Sequence, residues 1–245
     1  MRQLCILLLL CDFWIASVLP ATAGGAWPRG EGRTFISLSW STFGDAAGYL
    51  EKISQPIDAE NVPELKLTDE IAFFAEYGIT ERLTFGVDTY NRPDTGLASN
   101  VLFLRSGIGN PDWANRYGIE IGFGPIHDWR GQDDTVMRVG LAWGRGYQSR
   151  WGNGWMEVDS KLGWQTDAAE EYWKIDSTLG LNATERSIFY FQLQSGAAGE
   201  ADPFLRAVPA YVFRFDRGIS VESALLLGMQ NDDAQGVKIG AWLEF

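Results

Sequence analysis

Period-two alternation of apolar and polar residues recurs along the chain up to its last residue, and it leaves few folds open. Successive residues of a strand point to opposite faces of a sheet, so strict alternation describes a sheet whose two faces meet different surroundings. Val237, Ile239, Ala241, Leu243 and Phe245 alternate with Lys238, Gly240, Trp242 and Glu244. Ile219, Val221, Ser223, Leu225 and Leu227 alternate with Ser220, Glu222, Ala224 and Leu226, and Tyr117, Ile119, Ile121 and Phe123 with Arg116, Gly118, Glu120 and Gly122. One face is apolar; the other carries charges and glycines. Twelve such segments are expected, near 33–42, 68–78, 81–90, 98–108, 115–124, 134–144, 154–165, 171–181, 186–195, 204–215, 218–229 and 236–245. Their lengths are close to the roughly 9–11 residues of a tilted strand that crosses a bilayer. An even number suits a closed antiparallel barrel with both termini on one side.

A soluble β-sandwich would share the period. The position of the aromatics separates the two. Trp40, Trp143, Trp164, Trp173 and Phe245 fall on the apolar face near segment ends, where interfacial girdles lie. The expected fold class is all-β, a closed antiparallel transmembrane β-barrel of about twelve strands formed by residues 24–245 as one domain. Even-numbered connections such as Gly78-Ile79-Thr80 and Asn182-Ala183-Thr184 read as tight turns. Odd-numbered ones, led by 43–67, read as longer and more polar. Gly48, Pro56 and Pro63 argue against a long regular element in that first loop, which is compatible with either an inward fold or a position over the rim.

Residues 1–23 have the pattern of a cleaved signal peptide. Met1-Arg2-Gln3 precedes an apolar stretch from Leu4 to Leu19, and Ala21-Thr22-Ala23 is a small-x-small cleavage site. Cys5 and Cys11 lie inside this segment, so the exported chain has no thiol for disulfide, nucleophilic or metal chemistry. The 20 basic against 32 acidic residues give a net charge of -12, which excludes the basic face of a nucleic-acid binder. No cofactor and no metal are implied: the D-x-D-x-D-G calcium loop, the P-loop and His-Glu-x-x-His are all absent.

The ending from Val237 to Phe245, with its free terminal Phe and with Trp242 beside it, resembles the last strand of bacterial outer-membrane proteins. Tyr77-Gly78-Ile79-Thr80-Glu81-Arg82 is similar to Leu181-Asn182-Ala183-Thr184-Glu185-Arg186, and such hairpins resemble those of the phenol-degradation-pathway outer-membrane group. The resemblance implies an outer-membrane location in a Gram-negative envelope. It also implies recognition of the C-terminal strand by the barrel-assembly machinery, with lipid and lipopolysaccharide as surroundings.

Assigning the non-apolar face to the interior makes Glu70, Glu76, Asp88, Arg116, Glu120, Arg138, Glu157, Asp159, Lys161, Lys174, Asp176, Arg206, Arg214, Glu222 and Lys238 lumenal. The two signs nearly balance. They fit either a hydrated path or a braced polar core, since twelve strands stand between filled small barrels and wide porins. Porin-like passage of small polar or charged solutes is the expected function, with no enzymatic activity. A structural or surface-interaction barrel with a plugged lumen is the alternative. A hydrolase built on His127 is a further one, but Pro125 and Trp129 stand where barrel proteases and phospholipases carry their acidic residue and Ser. The acidic loop residues, among them Asp45, Asp58, Glu60, Asp128, Asp133, Glu170, Glu200 and Asp233, read as solvated surface with an attraction for cations.

Overall fold

The computed structural model describes residues 24–54, 64–128 and 130–245; the segment read as a signal peptide lies outside them, as do Pro56, Asp58, Glu60, Pro63 and Trp129. Twelve strands form one closed antiparallel barrel: β1 (Thr34–Gly44), β2 (Thr68–Gly78), β3 (Leu83–Arg92), β4 (Leu97–Ile108), β5 (Asn115–His127), β6 (Asp133–Ser149), β7 (Gly152–Gln165), β8 (Glu171–Asn182), β9 (Ser187–Ala198), β10 (Phe204–Arg214), β11 (Ile219–Gln230) and β12 (Gln235–Glu244). Each strand pairs with its sequence neighbours. β1 closes the ring on β12, from Phe35 opposite Glu244 to Gly44 opposite Gln235. Thr34 and Phe245 exchange backbone hydrogen bonds of 2.7 and 3.1 Å at the end of this seam. Closure leaves no row of unpaired N–H and C=O groups, the condition for a sheet to span hydrocarbon.

Side-chain direction follows the alternation. Leu141, Ile121, Phe123, Leu38, Ile239 and Leu225 point outward and remain exposed, at 64% for Leu141 and 62% for Ile121. Such an apolar surface around a whole barrel is unfavourable in water and matches lipid. Among the described residues no helix is long and apolar enough to cross a membrane. Inward positions hold the charges and glycines. They also hold more aromatic and aliphatic bulk than the sequence reading assigned there, including Phe35, Phe103, Trp155, Val208 and Val212.

The loops depart from expectation. Only the first connection is long. It carries a short helix, α1 (Ala46–Ile53), whose N-cap Asp45 accepts a 2.7 Å hydrogen bond from Gly48 N–H. Gly48 is thus accommodated within one helical turn of its cap. The Ala47 N–H donates to Gln235 Oε1 at 3.0 Å, which ties α1 to the rim beside β12. The other odd-numbered connections are brief, because β6 begins at Asp133 and β5 runs on to His127, pairing up to the loop itself. At the end that carries the termini, β10 and β11 are joined by a 3-10 turn, Asp216–Gly218, in which Arg217 takes φ 66°.

The belt predicts a depth-dependent penalty. Leu141→Arg, at the middle of β6, is expected to lower the unfolding free energy by about 2–4 kcal/mol in denaturant titrations of vesicle-inserted protein. Glu200→Gln, in an exposed loop, is expected to stay within about 0.5 kcal/mol. Equal losses would place Leu141 away from lipid.

Candidate functional site

The segment from Gly24 to Arg33 precedes β1 and runs up into the lumen from the end that carries the termini. It turns at Gly30, whose C=O accepts from Arg33 N–H at 3.2 Å, and Gly32 N–H donates to Gly78 C=O at 2.9 Å. Arg29 N–H donates to Thr84 Oγ1 at 3.0 Å. The Pro28 ring lies over Gly107, Trp27 over Gly144, and Gly25 over Gly118. These inward glycines form a shallow track; a Cβ at Gly118 or Gly144 would collide with the segment. Trp27 joins a cluster with Trp155, Ile188, Val212, Tyr190 and Trp242. Ala26 N–H reaches Glu157 Oε1 at 3.0 Å.

A chain of alternating charge runs along the wall from β2 to β7. Arg29 pairs with Glu76 and lies 3.7 Å from Glu244. Glu76 also pairs with Arg105, which donates to Glu120 Oε2 at 2.7 Å. Arg138 Nη2 is 2.8 Å from Glu120 Oε1, an ion pair without hydrogen-bond alignment, and Arg138 Nη1 donates to Asp88 Oδ2 at 2.7 Å. Lys161 Nζ stands 3.7 Å from the same Asp88 oxygen. Guanidinium groups rest on inward rings, Arg29 over Phe35 at 4.6 Å and Arg105 over Phe103 at 4.9 Å. Across the lumen, Glu222 accepts from Tyr190 and from Trp242 Nε1 (3.1 Å) and pairs with Lys238 at 2.8 Å.

Exposure falls from the loop end of the wall toward the middle of the network. The side chains of Lys174 and Asp88 are 43% and 28% exposed, whereas those of Arg105, Arg138 and Glu120 are at 5% or below. The void between Gly25, Arg105, Gly118, Glu120 and Asp159 has no room for a water molecule. The geometry is that of a polar vestibule entered from the loop end and filled below its middle.

The lumenal residues expected from the sequence take these places. Asp88, Glu120, Arg138 and Lys161 join one network, and Lys174 pairs with Asp176 at 2.8 Å. Glu70 binds Arg92 and Tyr90. Arg206 pairs with Asp232 at 2.7 Å, and Arg214 donates to Asn182 at 2.9 Å. Glu157 and Asp159 meet the N-terminal segment. Arg116 stands opposite Gly144 and joins no ion pair among the described residues. Trp242, expected as part of an assembly signal, packs inside against Phe35 with ring centroids 5.9 Å apart. Arg105, absent from the lumenal residues expected from the sequence, shares the inward parity of Val101 and Phe103. His127 lies at the exposed outer rim, 2.8 Å from Asp133 Oδ1.

The β5–β6 loop is organised by Asp128. Its carboxylate accepts from the backbone N–H of Gln132 (2.9 Å) and of Arg130 (2.8 Å) and pairs with the Arg130 side chain. The Gln132 N–H foremost, with the Arg130 bonds, holds the Asp128 carboxyl below its ordinary value. The loop's order is therefore complete above the ordinary carboxyl range, about pH 4, and is lost as pH falls through the lowered value. Amide exchange at Arg130 and Gln132 is expected to accelerate only in that acid range; pH-independent protection would remove Asp128 from the role.

No known family's sequence pattern matches the chain, and no curated protein matches it in sequence. The translocator domain of the autotransporter NalP from Neisseria meningitidis shares 11% identity at a TM-score of 0.44, with 88% of this chain and 89% of that chain covered. The loop-L8 deletion form of OmpT, an outer membrane protein of Vibrio cholerae, shares 7% at 0.39, covering 88% and 98%. These are similarities of barrel form, and the closure shown by strand pairing stands without them. The chain is a closed twelve-stranded antiparallel β-barrel with an apolar outer face.

The network predicts its own weak point. Glu120→Gln is expected to cost about 2–3 kcal/mol in vesicle unfolding, less than the roughly 3–5 kcal/mol of a fully orphaned buried charge, because Arg105 and Arg138 each keep a second carboxylate. A loss below about 0.5 kcal/mol would mean the network adds little to stability.

Proposed function

We propose that the chain is an outer-membrane barrel whose lumen is closed by its own N-terminal segment, and that it acts as a structural or surface-interaction barrel through its loop end rather than as an open porin. The observation that carries this reading is the seating of residues 24–33 among buried charges below the vestibule. The apolar belt and the closed sheet support the membrane location. The C-terminal strand that seals the seam is the part offered to the assembly machinery, and lipid with lipopolysaccharide surrounds belt and rim. No reaction is assigned to His127, whose partner is the exposed Asp133 carboxylate. The porin-like passage read from the sequence requires the N-terminal segment to leave the lumen, and it remains the second reading because that segment is short and held only by non-covalent contacts.

Single-channel recording in planar bilayers separates the two. The mature chain is expected to insert and stay silent. Gly144→Leu, which takes the space of the Trp27 ring, is expected to unseat the segment and give discrete openings whose reversal potential shifts when Arg138 or Lys174 is neutralised. Stable openings in the unaltered chain would overturn the closed-lumen reading.

A further inference from the structure

Gly24 and Gly25 stand against two inward carboxylates at the middle of β7. A side chain at Gly24 would overlap the Glu157 carboxylate, and a Cβ at Gly25 would lie 2.7 Å from Asp159 Oδ2. Gly24 also has φ 122°, a conformation that a side chain disfavours. From the place where that Cβ would fall, standard bond geometry holds the Gly24 nitrogen within about 4 Å of Glu157 Oε2.

Arg105 and Lys161 are the cations nearest these two carboxylates, and both are already paired with other carboxylates, Arg105 with Glu76 and Glu120 and Lys161 with Asp88. Glu157 is 6% exposed and accepts one hydrogen bond, from Ala26 N–H. Asp159 lies opposite Asp176 across the β7–β8 pair. Asp176 has Lys174, but its Oδ1 is buried without a donor. Among the described residues neither Glu157 nor Asp159 joins an ion pair. A buried carboxyl at such a place stays ionised only when a cation or several donors face it; otherwise it holds a proton. Independently, Ala21-Thr22-Ala23 marks the bond before Gly24 as a cleavage site.

We propose that hydrolysis of the Ala23–Gly24 bond creates an α-ammonium group that pairs with Glu157, and that this pair locks the N-terminal segment in the lumen. Water adds across the amide under catalysis by a signal peptidase. Ala23 leaves with the new carboxylate, and the Gly24 nitrogen gains a proton. A free α-amino group titrates near about pH 8, so the new terminus is cationic at neutral pH. Before cleavage the same nitrogen is a neutral amide and offers no charge. The lock therefore exists only in the processed, exported chain.

The test begins with mass spectrometry of the exported protein, which is expected to start at Gly24; a start elsewhere overturns the proposal. A cycle of four chains then isolates the pair. Mature chains beginning at Gly24, or retaining Ala23 as first residue, are each prepared with Glu157 and with the isosteric Glu157→Gln. Retaining Ala23 moves the amine by about 3.8 Å. Heat-modifiability of the folded barrel is read on unheated-to-heated gels. Glu157→Gln is expected to lower the transition by about 5 °C or more in the Gly24 chain and by less than half of that in the Ala23 chain. Equal shifts in both would overturn the ion pair. The inference rests on the segment occupying the lumen, and the outcomes stay separable: equal shifts with a silent bilayer record remove the lock but leave the closed lumen, whereas openings in the unaltered chain remove both.

Discussion

The pairing of β1 with β12 is the interaction on which the rest of the structure depends. Closure at this seam satisfies the last backbone edge and so permits an apolar exterior in contact with lipid. It also fixes an interior from which lipid is excluded. Below the vestibule, a charge inside that ring is partnered by another wall residue or by the segment that enters from below. The network from Arg29 through Glu76, Arg105, Glu120 and Arg138 to Asp88 is the result. Its members come from five strands and the entering segment, and two of its pairs, Glu76 with Arg105 from β2 to β4 and Asp88 with Arg138 from β3 to β6, join strands that share no backbone ladder.

The interior is graded rather than uniform. Near the loop end, Lys174 and Asp88 meet solvent. Deeper, the Arg105 and Arg138 guanidinium groups pair with carboxylates and lie 4.9 and 5.8 Å from the centroid of the Phe103 ring. Burying so many charges costs desolvation, and the chain offsets it by giving most of these arginines more than one acceptor. A polar lumen does not, then, amount to a hydrated one. The balance of signs read from the sequence is the same in a pore and in a brace; only the distances and the occupant of the lower lumen separate them.

Much of the fold was legible in the sequence. The side-chain period of two places each residue inside or outside once a strand is recognised, and the twelve segments match the observed strands to within a few residues except where β6 extends to Ser149. Loop lengths were less legible because pairing at the outer rim continues into polar sequence, as between His127 and Asp133. The entering segment carried no periodic signal. Its trace was indirect: inward glycines at 107, 118 and 144 leave space that only another part of the chain can fill. Trp155 and Trp242 had the correct parity, but their role in gripping Trp27 depends on contacts between distant strands, which no local pattern encodes.

The segment in the lumen and the seam strand are one continuous stretch of chain. Only the turn at Gly30 separates Arg29, held by Glu76, from Thr34, which pairs with Phe245. A force that drew the segment out toward the end bearing the termini would load its contacts with Glu76 and Glu157 and, through that turn, the first residue pair of the seam. Occupant and wall are thus mechanically in series, and the barrel cannot readily empty its lower lumen without loading the joint that keeps it a barrel.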